Sequence, residues 1–283
     1  MARVFGRLGP NREARRRSGT SRITAIVRRC VVLAGIVTCA ASTATADDLC
    51  GATIVANLEL DHDLWCAGNG LIVGADGIKL DLNGHTITGS GSGVGISVLG
   101  RTGVTIVGGT VQNFEAGVLV RNSMAVVVRE SQLVSNGDGV DFQTGSVGNT
   151  VKENHFQDNR SRGIMLRIGT SANLVKENTF TGNRVGILLF GASGTTVKEN
   201  TVSSSGLAGI RLNVIATGNL VVENTVASNP AGIDFLVTPT GSATGNTLRE
   251  NTIALNTCGL KGPVTGNTLT ENLFQGNGVD SCP

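Results

Sequence analysis

The chain's clearest chemistry lies just after a recurring Gly-aliphatic dipeptide, where Arg121, Asp141, Gln143, Met165, Arg167, Arg211, Asn213, Asp234 and Lys261 are placed. Eliminating or epimerising a uronic acid takes a cation to neutralise the carboxylate and a base to remove the adjacent proton. Asp141 with Arg167, and Arg211 with Asp234, come from neighbouring repeats and are the candidate catalytic pairs. Arg121, Gln143, Phe190, Asn213 and Lys261 are the candidate ligand contacts beside them. The competing reading is a solvated face with cross-strand ion pairs, each worth ~0.2 to 1 kcal/mol.

A glycosidase would instead need two carboxylates ~5 to 9.5 Å apart. Asp138 and Asp141 share one repeat and Asp158 follows in the next, but Asp138 and Asp158 read as turn residues, in Asn-Gly-Asp-Gly and Gln-Asp-Asn-Arg. His62, His85 and His155 are scattered, and Asp61-His62-Asp63 would need partners from elsewhere to hold a metal, so no metal site is assigned. The residues call for no cofactor and leave calcium and copper binding undecided. Gly89 to Gly95 lacks the Lys and the strand-to-helix setting of a phosphate loop.

These residues are positioned by an array. Asn173 to Arg211 contains one phrase twice: a short apolar strand, Lys-Glu-Asn-Thr, a turn rich in Asn, Gly and Ser, then Gly-Ile. The leading glycines are Gly95, Gly117, Gly139, Gly163, Gly186, Gly209, Gly232 and Gly259, at intervals of 22, 22, 24, 23, 23, 23 and 27 residues. In phase with them runs an asparagine column, Asn154, Asn178, Asn200, Asn224, Asn251 and Asn272. One coil per repeat follows, with about three short strands in each and no segment of helical periodicity. Ile164, Leu166, Ile187, Leu189, Ile210, Leu212, Ile233 and Phe235 are expected to stack inside, while Leu188 and Phe190 interrupt the outward polarity. Asn tolerates left-handed turns and carries both donor and acceptor groups, so the column is expected to form a structural ladder between coils.

The composition fits a rod of strands and turns: 283 residues, 40 Gly, 5 Pro and no Tyr. Nine arginines and one glutamate precede residue 30, followed by a short apolar run ending in Ala44-Thr45-Ala46. That is the pattern of a secretory signal peptide over 1–46, too short in its apolar part to span a membrane. Beyond it the balance of charge is acidic, and no nucleic-acid partner is expected. Cys50, Cys66, Cys258 and Cys282 remain, and the local pairs Cys50 with Cys66 and Cys258 with Cys282 are the simplest of the three connectivities. The expected organisation is therefore an N-terminal cap over 47–76 and repeats with a C-terminal cap over 77–283. With few aromatic rings, Phe190 is the one expected exposed platform, which favours an acidic polysaccharide over a neutral one.

With its N-x-V-x-x-N-x-x-x-x-N-x-x-G-I phrase and its entry Gly74-Ala75-Asp76-Gly77-Ile78-Lys79-Leu80-Asp81-Leu82-Asn83-Gly84-His85, the chain resembles secreted right-handed parallel β-helix repeat proteins over roughly residues 50 to 280. The resemblance implies an all-β, single-stranded parallel solenoid of eight or nine coils, secreted, periplasmic or at the cell surface. The fold is shared by pectate lyases, alginate epimerases, rhamnogalacturonan hydrolases, phage tailspikes and copper-accessory proteins of nitrous oxide reductase, so it does not assign a function. An Asp-Pro-His motif of lyases and epimerases is missing here. The expectation is a polysaccharide binder whose chemistry, if it is an enzyme, is that of a lyase or epimerase, against a non-catalytic scaffold or adhesion protein and, third, a copper-accessory protein. The sequence does not specify an oligomeric state.

Overall fold

The computed structural model describes residues 49–213, 215–236, 241 and 243–283, and the backbone of 26–33 and 36–43. The expected cleavage point at Ala46 lies outside the described residues. Ile26–Leu33 and Ile36–Thr43 pair antiparallel as a separate two-stranded sheet. From residue 49 onward the backbone winds as a parallel β-solenoid, and the described residues contain no helix.

One coil shows the plan. Leu174–Lys176, Thr179–Thr181 and Val185–Phe190 each pair in parallel with their equivalents one coil later, Thr196–Lys198, Thr201–Ser203 and Ala208–Asn213. We call the three ladders faces A, B and C. On two early coils the A and B strands fuse into single strands, Thr105–Gln112 and Val127–Val134, which join those ladders. Face C has 11 strands, from Thr53–Ile54 to Val279–Cys282. The eight leading glycines therefore undercount the coils, of which there are about ten. The strand Leu71–Val73 follows Gly70, which extends the glycine column one coil before Gly95, and Thr53–Ile54 pairs with it in parallel, so part of the expected N-terminal cap is itself coiled.

Burial explains the alternation. Val118, Val140, Ile164, Ile187, Ile210 and Ile233 stack inward on face C with no exposed surface, and Leu166, Leu189 and Leu212 do the same one step on. On face B the rings of Phe156 and Phe180 stack at 4.6 Å. The glycine column exists because there is no room for a side chain: a Cβ at Gly186 would lie 2.4 Å from Val202 Cγ1 and 2.5 Å from the Gly209 carbonyl. The strand leaves simple alternation at this glycine, a kink in which the Cβ direction of Gly186 and the side chain of Ile187 both point inward. Residues one before and two after each glycine consequently face the same side, contrary to simple strand alternation.

The predicted ladder is present. Asn178 Nδ2 donates to Asn200 Oδ1 at 3.0 Å, and Asn200 Nδ2 to Asn224 Oδ1 at 2.9 Å. The column continues through Asn154 above and through Asn251 and Asn272 below. The reason given for it needs correction, because the left-handed residue is the preceding glutamate: Glu177, Glu199 and Glu223 have φ of 56°, 56° and 55°. This turn sends the asparagine amide inward and the glutamate outward. There Lys198 Nζ reaches Glu199 and Glu223, each at 3.1 Å, so the inner amide ladder is shadowed by an outer ionic one.

Two further amide ladders run in parallel, at the other corners of the coil. One passes Asn149 and Asn173, then Asn219, Asn246 and Asn267; the other passes Asn136, Asn159 and Asn183, then Asn229, Asn256 and Asn277. Each is interrupted once, at Thr195 and at Ser205, whose hydroxyls are buried without a partner. Both expected disulfides form: Cys50–Cys66, and Cys258–Cys282 across the last two strands of face C.

Candidate functional site

Face C carries the predicted residues outward. Leu119, Asp141, Met165, Leu188, Arg211, Asp234 and Lys261 form one column in direct register. Arg121, Gln143, Arg167, Phe190 and Asn213 each follow the next inward residue of their coil. Asp138, Arg162 and Val185 form a column on the near side of the glycine kink.

The candidate pairs meet as expected. Arg167 Nε donates to Asp141 Oδ1 at 2.8 Å and Nη2 to Oδ2 at 3.2 Å, while Gln143 Nε2 donates to the same carboxylate at 2.9 Å. Arg211 grips Asp234 through Nε at 2.8 Å and Nη2 at 2.5 Å. Asp141 and Asp234 are buried although they face outward, because the arginines lie over them. The two pairs do not form one cluster. Met165, Val185 and Leu188 separate them as a buried apolar patch, bordered by Phe190 and Leu207. Arg121 and Lys261 are exposed at the two ends, and Asn213 Oδ1 is buried without a partner.

The main correction concerns Asp138. It is not a turn residue: it begins the strand Asp138–Phe142, and the Gly139 kink turns its side chain to the same side as Asp141. Arg162 Nη1 contacts both its oxygens at 3.2 and 3.3 Å. Arg167 Nη2 lies 3.9 Å from Asp138 Oδ2 and 3.2 Å from Asp141 Oδ2, so the two carboxylates share a guanidinium. Burial pushes the Asp138 carboxyl above its ordinary value; the Asp141 charge adds to the rise, and Arg162 and Arg167 oppose it. The hydrogen bond to Asp141 in turn raises the Arg167 guanidinium.

Aromatic placement also departs from expectation. Phe190 is only half-buried against Leu188, whereas Trp65 is 70% exposed on face B beside Thr88. At Asp61-His62-Asp63, His62 Nδ1 binds Asp61 at 2.5 Å, and Asp63 accepts from His85 and from the Thr86 amide. Among the described residues no three His, Cys, Asp or Glu side chains converge as metal ligands would.

The model of the right handed beta helix region matches residues 92–253 and 167–280. The chain belongs to this family of right-handed β-helix proteins. No curated protein matches it by sequence. Among solved structures, this β-helix is similar to alginate lyase from Paenibacillus sp. str. FPU-7, with TM-score 0.59 and 17% identity over 77% of this chain and 91% of that one. The A-module of mannuronan C-5 epimerase from Azotobacter vinelandii aligns with TM-score 0.57 and 13% identity, over 82% and 76%. The tailspike of E. coli bacteriophage HK620, solved with a pentasaccharide, aligns with TM-score 0.60 and 13% identity, over 82% of this β-helix and 52% of the tailspike. At these identities the likeness is one of fold, which these polysaccharide-acting proteins share.

Proposed function

We propose that this β-helix binds an acidic polysaccharide lengthwise along face C. The observation that carries the reading is a local excess of positive charge. From strand Ala116–Arg121 to strand Cys258–Lys261, face C presents Arg121, Arg162, Arg167, Arg211 and Lys261 against Asp138, Asp141 and Asp234. The sequence beyond residue 46 has the opposite balance, 14 basic and 20 acidic residues. A polyanion is drawn to such a stripe, and most strongly at low ionic strength. Parallel strands ~4.8 Å apart give an extended polymer equivalent contacts at every coil. The polysaccharide-acting proteins that share the fold support the ligand class, and the expected secretory leader would deliver the chain to where such polymers occur.

The test is binding to alginate, polygalacturonate and a neutral glucan at two salt concentrations. Retention of the acidic polymers only, weakened by salt and by Arg211→Gln, is expected. Equal affinity for the neutral glucan would refute the reading. Trp65 supplies a control, being the only tryptophan and on face B. Its emission should stay constant on binding, and a shift would place the ligand on face B instead.

A further inference from the structure

Resting on that reading, we infer that Asp138 and Asp141 form a hydrolytic pair for the glycosidic bonds of the bound acidic polymer, and that Arg162 and Arg167 are its removable cover. Two carboxylates buried side by side at an outward-facing position are an expensive arrangement, because burial and the charge of Asp141 both disfavour ionisation of Asp138. A fold that needed only structure could place apolar residues there, as the next coils do with Met165, Val185 and Leu188. The pair is held instead by arginines that are themselves partly exposed, Arg162 at 31% and Arg167 at 42% of their side-chain surface. The carboxylate of an acidic sugar can accept the same guanidinium donors from the solvent side. Drawing the arginines outward would then uncover the acids beneath, which a neutral sugar cannot do.

The shared guanidinium bounds the separation of the two acids. Because Arg167 Nη2 is 3.9 Å from one carboxylate and 3.2 Å from the other, the gap between those oxygens cannot exceed the sum of the two distances. That sum keeps the pair out of the upper part of the ~5 to 9.5 Å range over which two carboxylates act on one glycosidic bond, so both acids can reach the same linkage. Asp138 delivers its proton to the bridging oxygen as the bond from that oxygen to the anomeric carbon breaks. Asp141 takes a proton from the water whose oxygen bonds to that carbon. One water is consumed and two chain ends result, and exchange with solvent restores the proton to Asp138. The groups around Asp138 agree with its role as the acid. Glu115 precedes it by one coil, Asp141 shares its strand, and Arg162 and Arg167 follow by one coil. Burial and the Asp141 charge raise its proton affinity, while Arg162 lowers it. Displacing Arg162 therefore raises the proton affinity when the polymer arrives.

The experiment measures binding and reducing-end release together on alginate and polygalacturonate, for wild type, Asp138→Asn, Asp141→Asn and Arg162→Gln, each checked for an unchanged unfolding transition. Expected is turnover by wild type that falls ~10²- to 10⁴-fold in Asp138→Asn with binding retained, the range for losing a positioned acid. Arg162→Gln should move the alkaline limb of the pH profile upward and narrow the preference for charged over neutral polymers, which a purely structural role would not do. Binding without reducing-end release would overturn this inference and leave the binding reading intact. Release as ultraviolet-absorbing unsaturated ends would overturn hydrolysis in favour of elimination. Failure of every acidic polymer to bind would remove the binding reading and this inference together. Should Asp138→Asn fail to fold, the pH shift of Arg162→Gln decides alone, and an unmoved profile counts against the pair.

Discussion

Asn200 shows how much one side chain carries in this fold. Its Oδ1 accepts from the Asn178 backbone N–H and from Asn178 Nδ2, both at 3.0 Å, inside a site closed to water. Asn200→Ala strands both donors and should lower stability by about 1 to 3 kcal/mol; an unchanged midpoint in denaturant would refute the ladder's contribution. The reverse experiment is available at the two interruptions. Thr195 and Ser205 occupy rung positions, each donating its backbone N–H to the next asparagine at 2.9 Å, but their hydroxyls have no partner. Thr195→Asn and Ser205→Asn should restore the missing amides, and each should raise the melting temperature; a fall in both would mean that the corners cannot accept the larger side chain. Asp138 supplies a pH signature. Its folded-state pKa lies above the unfolded value of 3.8, so the fold retains a proton that the unfolded chain releases. Stability from this group is greatest below that value and declines as pH rises toward the folded one. Calorimetry of Asp138→Asn against wild type between about pH 3 and 7 should show the variant gaining relative stability as pH rises, and a constant difference would contradict the buried-acid assignment.

At the level of the strand, the glycine kink decides what face C displays. Gly186→Ala forces a Cβ against the Gly209 carbonyl, a backbone atom that cannot step aside. The expected loss is about 1 to 3 kcal/mol, as for an overpacked core, read as a lower unfolding midpoint; wild-type stability would show that the column is dispensable. The same kink explains what the sequence concealed. The pair Arg211 with Asp234 was legible because equivalent positions one period apart must be neighbours, and Asp141 with Arg167 because Arg167 lies on the same face two residues beyond the equivalent position, Met165. Asp138 was not, because its Asn-Gly-Asp-Gly setting imitates a turn and strict alternation would put residues three apart on opposite sides. The middle asparagine column was legible by its Glu-Asn-Thr phrase. Its two companions were hidden because the residues before them vary, as Gly148, Ala172 and Gly218 do at one corner. Trp65 went unrecognised as a platform because it lies before the regular period begins.

The molecule as a whole is close to one-dimensional: each coil packs chiefly on its neighbours, with Arg160 reaching further to the carbonyls of Phe114 and Gly91, so stability is distributed along the rod and its ends are weakest. At the C-terminal end the inward residues Leu269 and Phe274 are only partly buried, whereas Leu248 and Ile253 one coil earlier are sealed. The Cys258–Cys282 disulfide ties this last coil to the one before it. Its removal by Cys258→Ser with Cys282→Ser should raise hydrogen exchange in Thr268–Thr270 and Leu273–Gln275 while Thr196–Lys198 stays protected. Uniform deprotection along the rod would instead indicate that the coils unfold as one unit. The period was thus open to reading from residue spacing alone and the handedness only from the family resemblance, while the number of turns was undercounted because the first coils hold the register ahead of the glycines that were counted.

The three amide ladders have a bearing on how such a protein can change over generations. Each asparagine rung presents the same donors to one neighbour and the same acceptor to the other, so coils that carry the rungs fit beside one another interchangeably. Copying or losing a whole period leaves no mismatched junction, whereas gaining a single residue within a strand would misalign all three corners. The length of face C, and with it the length of polymer it can span, is therefore free to drift in steps of one turn while the shape of each turn stays fixed.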